Sequence, residues 1–216
     1  MAAEPWPSGD AADVAARRTL PLFPLQAVLF PDGLLGLKVF EARYLDLASR
    51  CLREGSGFGV VALRQGGEVQ RPGEPVALEP AGTVAEILEV DSPRSGILQL
   101  RCRGSRRFRL HGTRQAPDGL WLGEVEDLPD DEAVPPEPQR AGAVEALRRA
   151  VESLRGQGAE PFLAPLRYDD AGWVANRWCE ILPISLAAKQ RLMALEAPQL
   201  RLQLVDDYLR EKGVVG

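Results

Sequence analysis

Residue types that perform acid–base or nucleophilic chemistry are scarce in this sequence. His111 is the sole histidine and falls among arginines on the polar side of a predicted strand, which favours a solvated residue over a general base. Ser185 and Lys189 lie four residues apart on one helical face, the spacing of a Ser-Lys dyad. Ser185, however, stands at the start of that helix, two residues after Pro183, where a hydroxyl caps backbone amides. The sequence therefore predicts no catalytic site.

The sequence also lacks motifs that would bind a cofactor or a metal. No lysine precedes a serine or threonine, which excludes a Walker-type phosphate loop. The glycine-rich run at residues 55–59 stands between a predicted helix and a predicted strand, and this order is typical of a helix C-cap and turn. The acidic run at residues 124–137 contains prolines and no fixed ligand spacing, which favours a solvated linker over a cation site. We expect no cofactor and no metal. The cysteines are widely spaced and are predicted to be small buried thiols: Cys51, Cys102 and Cys179.

Basic residues concentrate in one arginine stripe, which consists of Arg101, Arg103, Arg106, Arg107 and Arg109. Strand alternation would place these side chains on one outer face of a β-ribbon. Two interpretations stay open: a solvated face paired with nearby acids, or a surface that binds an anion or RNA. The formal net charge of −5 and the pI of about 5.1 argue against a nucleic-acid or membrane partner.

The apolar stretch Leu20–Tyr44 organises the elements around these residues. Its prolines fix φ and remove backbone donors, which excludes a helix and leaves short extended pieces. We expect strands at Ala27–Phe30 and Leu34–Phe40, joined by a proline-containing turn whose glycine accepts a positive φ. The apolar period then becomes helical and predicts a helix over Glu41–Leu52 that ends at the glycine run.

The rest of the first half is predicted to be strands. Thr83–Val90 is rich in β-branched residues, and Ile97–Arg103 alternates apolar with polar side chains. Residues 91–96 form the hairpin connection between them, and a loop is expected at residues 72–80. Short, mostly antiparallel strands with one inserted helix indicate a small barrel or sandwich.

A proline-rich acidic segment divides the chain. We predict a disordered lead at residues 1–18, a β-rich subdomain at 19–129, a linker at 130–138 and a helical bundle at 139–213. No apolar run resembles a signal peptide or is long enough to span a bilayer, so the expected compartment is the cytoplasm. Helix starts in the bundle are predicted at Asp170, Ser185 and Pro198.

An ordered set of short pieces resembles the Lon N-terminal domain, and more narrowly the stand-alone bacterial proteins that consist of that domain. The pieces are LPLFPL from Leu20, FPDG from Phe30, FEARY from Phe40, GTVAEI from Gly82 and LPIS from Leu182. Two positions depart from the pattern, because Gly36 and Ala42 stand where proline is expected. The resemblance implies a PUA-like pseudobarrel that holds substrate polypeptides. A complete Lon protease also carries an ATPase and a protease domain, and neither is present in these residues.

The predicted fold is α+β: an N-terminal β-rich PUA-like pseudobarrel with an inserted helix, followed by a C-terminal helical bundle. The first hypothesis for function is a non-catalytic polypeptide-binding module, an adaptor or chaperone-like factor that holds unfolded clients for a protease or chaperone. Large apolar side chains without an evident core position would form its surface. Equally, these residues could only join the two subdomains. A second hypothesis is RNA binding through the barrel and the arginine stripe. The candidate polypeptide-binding residues are Phe30, Leu34, Leu35 and Trp173.

Overall fold

The computed structural model of the protein describes residues 17–68, 73 and 75–216, so residues 1–16 of the lead predicted at 1–18 lie outside the described residues. Six strands and five α-helices form within the described residues. The strands are β1 (Arg18–Leu25), β2 (Leu34–Val39), β3 (Phe58–Gln65), β4 (Ala77–Arg94), β5 (Ile97–Gln115) and β6 (Trp121–Asp127). The helices are α1 (Ala42–Glu54), α2 (Ala141–Gly156), α3 (Ala171–Ile181), α4 (Leu186–Ala194) and α5 (Pro198–Glu211), and a 3₁₀ turn at Pro138–Arg140 precedes α2.

Five of the strands close into a ring. The sheet order is β2, β5, β4, β3, β1, β6, and β6 also pairs with β5. β1 and β3 run parallel, while the remaining pairs are antiparallel. One edge of β5 serves two partners, since its first half pairs with β2 and its second half with β6. Among the described strands, β2 is therefore attached to the barrel through β5 alone.

The first strand lies earlier than the sequence predicts. The prediction of a strand at Ala27–Phe30 is wrong. The first strand, β1, ends at Leu25 and includes Pro21 and Pro24. The first half of β1 pairs with β6 and the second half with β3, so among the described strands each half has one unpaired edge. A missing proline donor can lie on an unpaired edge without breaking a ladder. Arg18 already belongs to this strand, which also corrects the predicted end of the lead.

In the turn that leads into β2, the residue with a positive φ is Asp32 and not the glycine that the sequence predicts. Asp32 has a φ of 57°, whereas Gly33 is not in the left-handed region. Gly33 is required for space, since a Cβ there would collide with the Glu180 carboxylate and the Phe30 carbonyl. Residues 77–80, which were predicted to be part of a loop at 72–80, belong instead to β4, which begins at Ala77.

Helix signals in the sequence are confirmed. Gly55 adopts the left-handed conformation, with a φ of 61°, at the end of α1. The Asp170 carboxylate accepts from the Trp173 amide, and the Ser185 hydroxyl accepts from the Ala188 amide. Pro198 occupies the first turn of α5.

Apolar side chains pack in three clusters among the described residues. One packs α1 against residues of β1 to β5, a small one is formed by side chains of β1, β3, β5 and β6, and the largest joins α2, α3, α4 and α5. Two residues outside the helices also belong to the largest cluster: Phe30, which precedes β2, and Ala81, which lies in β4. The predicted α+β fold class is confirmed, and the exact division into subdomains stays a prediction.

Candidate functional site

The free edge of β2 is the most unusual feature of the barrel. Gly104 donates its N–H to the Gly33 carbonyl at 2.9 Å, just before the strand, and this bond sets the phase of the antiparallel ladder. Odd-numbered residues of β2 therefore bond to β5, and even-numbered residues direct their N–H and C=O groups away from it. Three residues thus offer backbone donors and acceptors along this edge: Leu34, Gly36 and Lys38.

An apolar cleft of about 330 Å³ opens beside this edge, between β2, the end of β1 and the start of α1. Phe23 and Tyr44 stack at its base with ring centroids 4.0 Å apart. Phe40 stands at the rim with 56% of its surface exposed. We name this space the inner cleft. It is lined by Phe23, Leu25, Ala27, Leu35, Gly36, Leu37, Lys38, Val39, Phe40, Glu41, Tyr44 and Glu68.

The opposite face of β2 borders a second, shallower groove of about 590 Å³ across β2, β5 and β4. Leu34 and Leu100 contribute apolar surface to it, and Val90 is 43% exposed at its side. Arg101 and Glu89, joined by a 2.7 Å ion pair, supply its polar rim. We name this space the outer groove. The edge of β2 therefore runs between two partly apolar depressions.

The structure separates the four predicted polypeptide-binding residues into two pairs. Leu34 and Leu35 lie in β2, where Leu35 faces the barrel core and Leu34 faces the outer groove. Phe30 is 0% exposed and Trp173 is 3% exposed, so neither can form an accessible surface. Both belong to the core of the helical part. The expectation that these two residues are exposed is wrong.

The sequence pattern gave Trp173 no core position because α3 is buried on nearly all sides. Nine of its eleven residues are buried, so no single apolar stripe marks its inner face. Trp173 packs edge-on against Phe162 and Tyr168, at centroid distances of 6.0 and 5.4 Å. For Phe30 and Trp173 the alternative role, joining barrel and helices, is the one the packing supports.

The arginine stripe is largely engaged with carboxylates. Arg101 and Arg103 each contact a glutamate of β4 at 2.7 Å. Arg109 lies within 3.6 Å of Glu126 and 3.4 Å of Glu196. Four of the five members thus lie on a surface balanced by acids, since Arg106 also lies near Asp127 at 3.6 Å. The remaining member is Arg107, which is buried.

Arg107 joins the barrel to the helical part. Its side chain is 2% exposed and contacts the Asp131 carboxylate at 2.7 Å. The same carboxylate binds Arg201 of α5 at 2.5 Å. Burial lowers the pKa of Arg107, and the Asp131 charge opposes that effect. The prediction of Arg107 as an outer-face residue is wrong, and the acidic segment is more than a solvated linker because Asp131 anchors two buried arginines.

A second buried arginine positions the start of β2. Arg177 of α3 donates to the carbonyls of Pro31 and Asp32, in the turn that leads into the strand. Glu180 pairs with Arg177 at 2.9 Å and lies against Gly33. Burial raises the pKa of Glu180 to about 7, although Arg177 opposes the shift. The helical part thus holds the turn from which the free edge begins.

Residues that suggested chemistry have structural partners. Lys189 donates to the Glu180 carbonyl at 3.0 Å, while the Ser185 hydroxyl accepts from the Ala188 amide at 3.2 Å. His111 contacts Glu126 at 2.7 Å on the barrel surface. The described cysteines are buried free thiols, as predicted. Within the described residues, no group of three acidic, histidine or cysteine side chains is arranged to hold a metal ion.

Sequence reasoning missed the aromatic floor of the inner cleft. Phe23 and Tyr44 were assigned to an apolar stretch and a helix stripe, and both assignments place them in a core. Their approach to the free edge depends on β2 bonding only to β5 among the described strands, which no local pattern reveals. The exposure of Phe40 at the rim became evident only in the structure, since the sequence pattern counts Phe40 among the apolar residues of a strand and a helix stripe.

Comparison with known proteins decides the family. The model of the ATP-dependent protease La (LON) substrate-binding domain matches residues 19–211. The chain belongs to the Lon substrate-binding domain family. Lon protease 2 of Syntrophobacter fumaroxidans is 31% identical over 194 residues, which cover 87% of this chain. The match spans only 23% of that protease, so this chain corresponds to less than a quarter of its curated relative.

Solved structures agree with this assignment. The Lon N-terminal domain protein from Xanthomonas campestris is 33% identical, with a TM-score of 0.70 over 88% of this chain and 98% of that one. The N-terminal domain of a Mycobacterium avium complex Lon protease shares the fold at 17% identity, with a TM-score of 0.61 over 90% of this chain and 99% of that one. In the part of this Lon-family chain that the structure describes, no helix is long and apolar enough to cross a membrane.

Proposed function

We propose that this Lon-family protein is a non-catalytic polypeptide-binding module that holds apolar segments of unfolded clients. The observation that carries the proposal is the edge of β2, which lies between an apolar cleft and a groove bordered by the half-buried Leu34 and the exposed Val90. Apolar surface rimmed by charge suits a segment that a folded protein would bury. The family's substrate-binding description supports the same function.

An adaptor or chaperone-like role follows from binding without chemistry. Ser185, Lys189 and His111 are engaged in caps and hydrogen bonds within the fold, which supports a module that holds a client and leaves its cleavage or refolding to another protein. The partner would be a protease or a chaperone. The RNA-binding alternative has no such support, because the four exposed arginines of the stripe face carboxylates.

Capture of a permanently unfolded client, such as reduced and carboxymethylated lactalbumin labelled with a fluorophore, tests the proposal. Phe40→Ser removes an exposed apolar side chain from the rim of the inner cleft, and Val90→Ser removes one beside the outer groove. Leu200→Ser and Leu204→Ser remove similarly exposed leucines from α5 and serve as matched controls. We expect the Phe40 and Val90 variants to weaken capture at least about fivefold, or about 1 kcal/mol, while the controls bind like the wild type.

Equal effects of both pairs would mean that capture is a general property of exposed apolar side chains. Absence of any capture by the wild-type protein would refute the proposed function itself. Melting temperatures measured in parallel establish that all four variants remain folded, as expected for substitutions at exposed positions.

A further inference from the structure

The backbone of β2 limits what can occupy its edge. Leu34, Gly36 and Lys38 direct alternate N–H and C=O groups outward, about two residue lengths apart. An extended chain satisfies such a row of groups, whereas a helix has already used its own donors and acceptors. The hydrogen-bonding pattern therefore favours an occupant in strand conformation.

Gly36 leaves the middle of this edge open. Among the described residues, no atom lies within 4 Å of the position that a Cβ would occupy there. Proline, which the resemblance to the Lon N-terminal domain leads us to expect at this position, has no N–H and would remove the central donor. Glycine keeps that donor. This feature is a property of the present chain.

Charge indicates one further property of the occupant. Lys38 is exposed at the end of the edge, and within the described residues no carboxylate pairs with it. By contrast, Arg101 on the neighbouring strand already has Glu89 at 2.7 Å. An acidic side chain directly across from Lys38 on an added strand would form a favourable cross-strand pair. Apolar side chains at alternate positions would enter the inner cleft.

We propose that β2 binds an extended client segment as an additional strand, and that the preferred segment alternates apolar residues with polar ones and carries an acidic residue opposite Lys38. This proposal rests on the proposed polypeptide-binding function and specifies its substrate class. The apolar residues of the segment occupy the inner cleft, next to Phe23, Phe40 and Tyr44. Its polar residues and its acid lie over the outer groove.

A pair of substitutions at Gly36 tests the backbone contribution. Gly36→Pro removes an N–H that the β2–β5 ladder does not use, and Gly36→Ala keeps that N–H while adding a single methyl group for which there is space. The probe is a fluorescent eight-residue peptide that alternates valine and serine, with glutamate replacing one serine. We expect Gly36→Pro to weaken peptide binding about tenfold and Gly36→Ala to leave it within about twofold. Equal binding by both variants would overturn strand addition.

A charge exchange gives a second test that does not depend on Gly36. Lys38→Glu should lower the affinity for the glutamate-containing peptide about threefold. The same variant should bind more tightly to a peptide in which lysine replaces that glutamate. Lys212→Glu, at an exposed lysine beyond α5, is the matched control and should change neither affinity. Unchanged affinities in Lys38→Glu would overturn the assignment of the acid.

The two proposals fail in different ways. If the wild-type protein binds neither the peptide nor an unfolded client, the polypeptide-binding function is wrong. If it binds both and Gly36→Pro matches Gly36→Ala, polypeptide binding stands and strand addition to β2 is wrong.

Discussion

Replacing Asp131 with asparagine removes the charge that two buried arginines share. The side chains of Arg107 and Arg201 are 2% and 1% exposed, and the Asp131 carboxylate lies 2.7 and 2.5 Å from them. Breaking a buried ion pair from one side costs about 3–5 kcal/mol, because the remaining charge stays buried. Both arginines keep carbonyl acceptors, among them Met193 and Leu192, which offsets part of that cost. We expect the free energy of unfolding to fall by about 3 kcal/mol.

Urea denaturation followed by circular dichroism measures this effect. With a slope of about 2 kcal/mol per molar urea, the midpoint should fall by about 1.5 M. Asp130→Asn is the matched control, since Asp130 is exposed and adjacent in sequence, and its midpoint should stay within about 0.3 M of the wild type. A midpoint for Asp131→Asn equal to that of Asp130→Asn would refute the view that this carboxylate ties the barrel to the helices.

Three further predictions concern the helical part. Ser185→Ala should lower stability by about 1 kcal/mol through loss of the cap on Ala188, and should leave client binding unchanged. Burial raises the pKa of Glu180 from 4.5 to about 7, so this group's contribution to stability is greatest below pH 4.5 and is lost as pH rises to about 7. The urea midpoint of the wild type, relative to that of Glu180→Gln, should therefore fall as pH rises from 4.5 to about 7 and should stay constant at higher pH. Trp173→Ala should cost about 3–5 kcal/mol, with client capture reduced only in proportion to the folded fraction.

Local signals in the sequence predicted local structure well. Hydroxyl and carboxylate caps, proline in a first turn and glycine at a helix end each depend on a few neighbouring residues, and Ser185, Asp170, Pro198 and Gly55 took those roles. Period-two alternation could not tell which face of β2 is inward, because the turn at Asp32 and Gly33 blurs the register, and only the structure shows Leu35 inward and Leu34 outward.

The errors arose where distant segments meet. Arg107 reads as one more outward arginine on an alternating strand, and only the approach of Asp131 and α5 turns that position into a buried joint. The prolines of β1 are tolerated because its partners change halfway along the strand. The free edge of β2 likewise depends on how β5 divides its pairing between β2 and β6. Tertiary pairing of this kind leaves no periodic trace in the sequence.

Amide hydrogen exchange of β2, measured by NMR with and without the valine–serine–glutamate peptide, tests the central claim most directly. The amides of Leu34, Gly36 and Lys38 face the free edge, whereas those of Leu35, Leu37 and Val39 already bond to β5. At saturating peptide we expect exchange at the first three to slow at least about tenfold, and exchange at the other three to change little. Peptide binding that leaves the exchange of Leu34, Gly36 and Lys38 unaltered would contradict the claim that β2 holds the client.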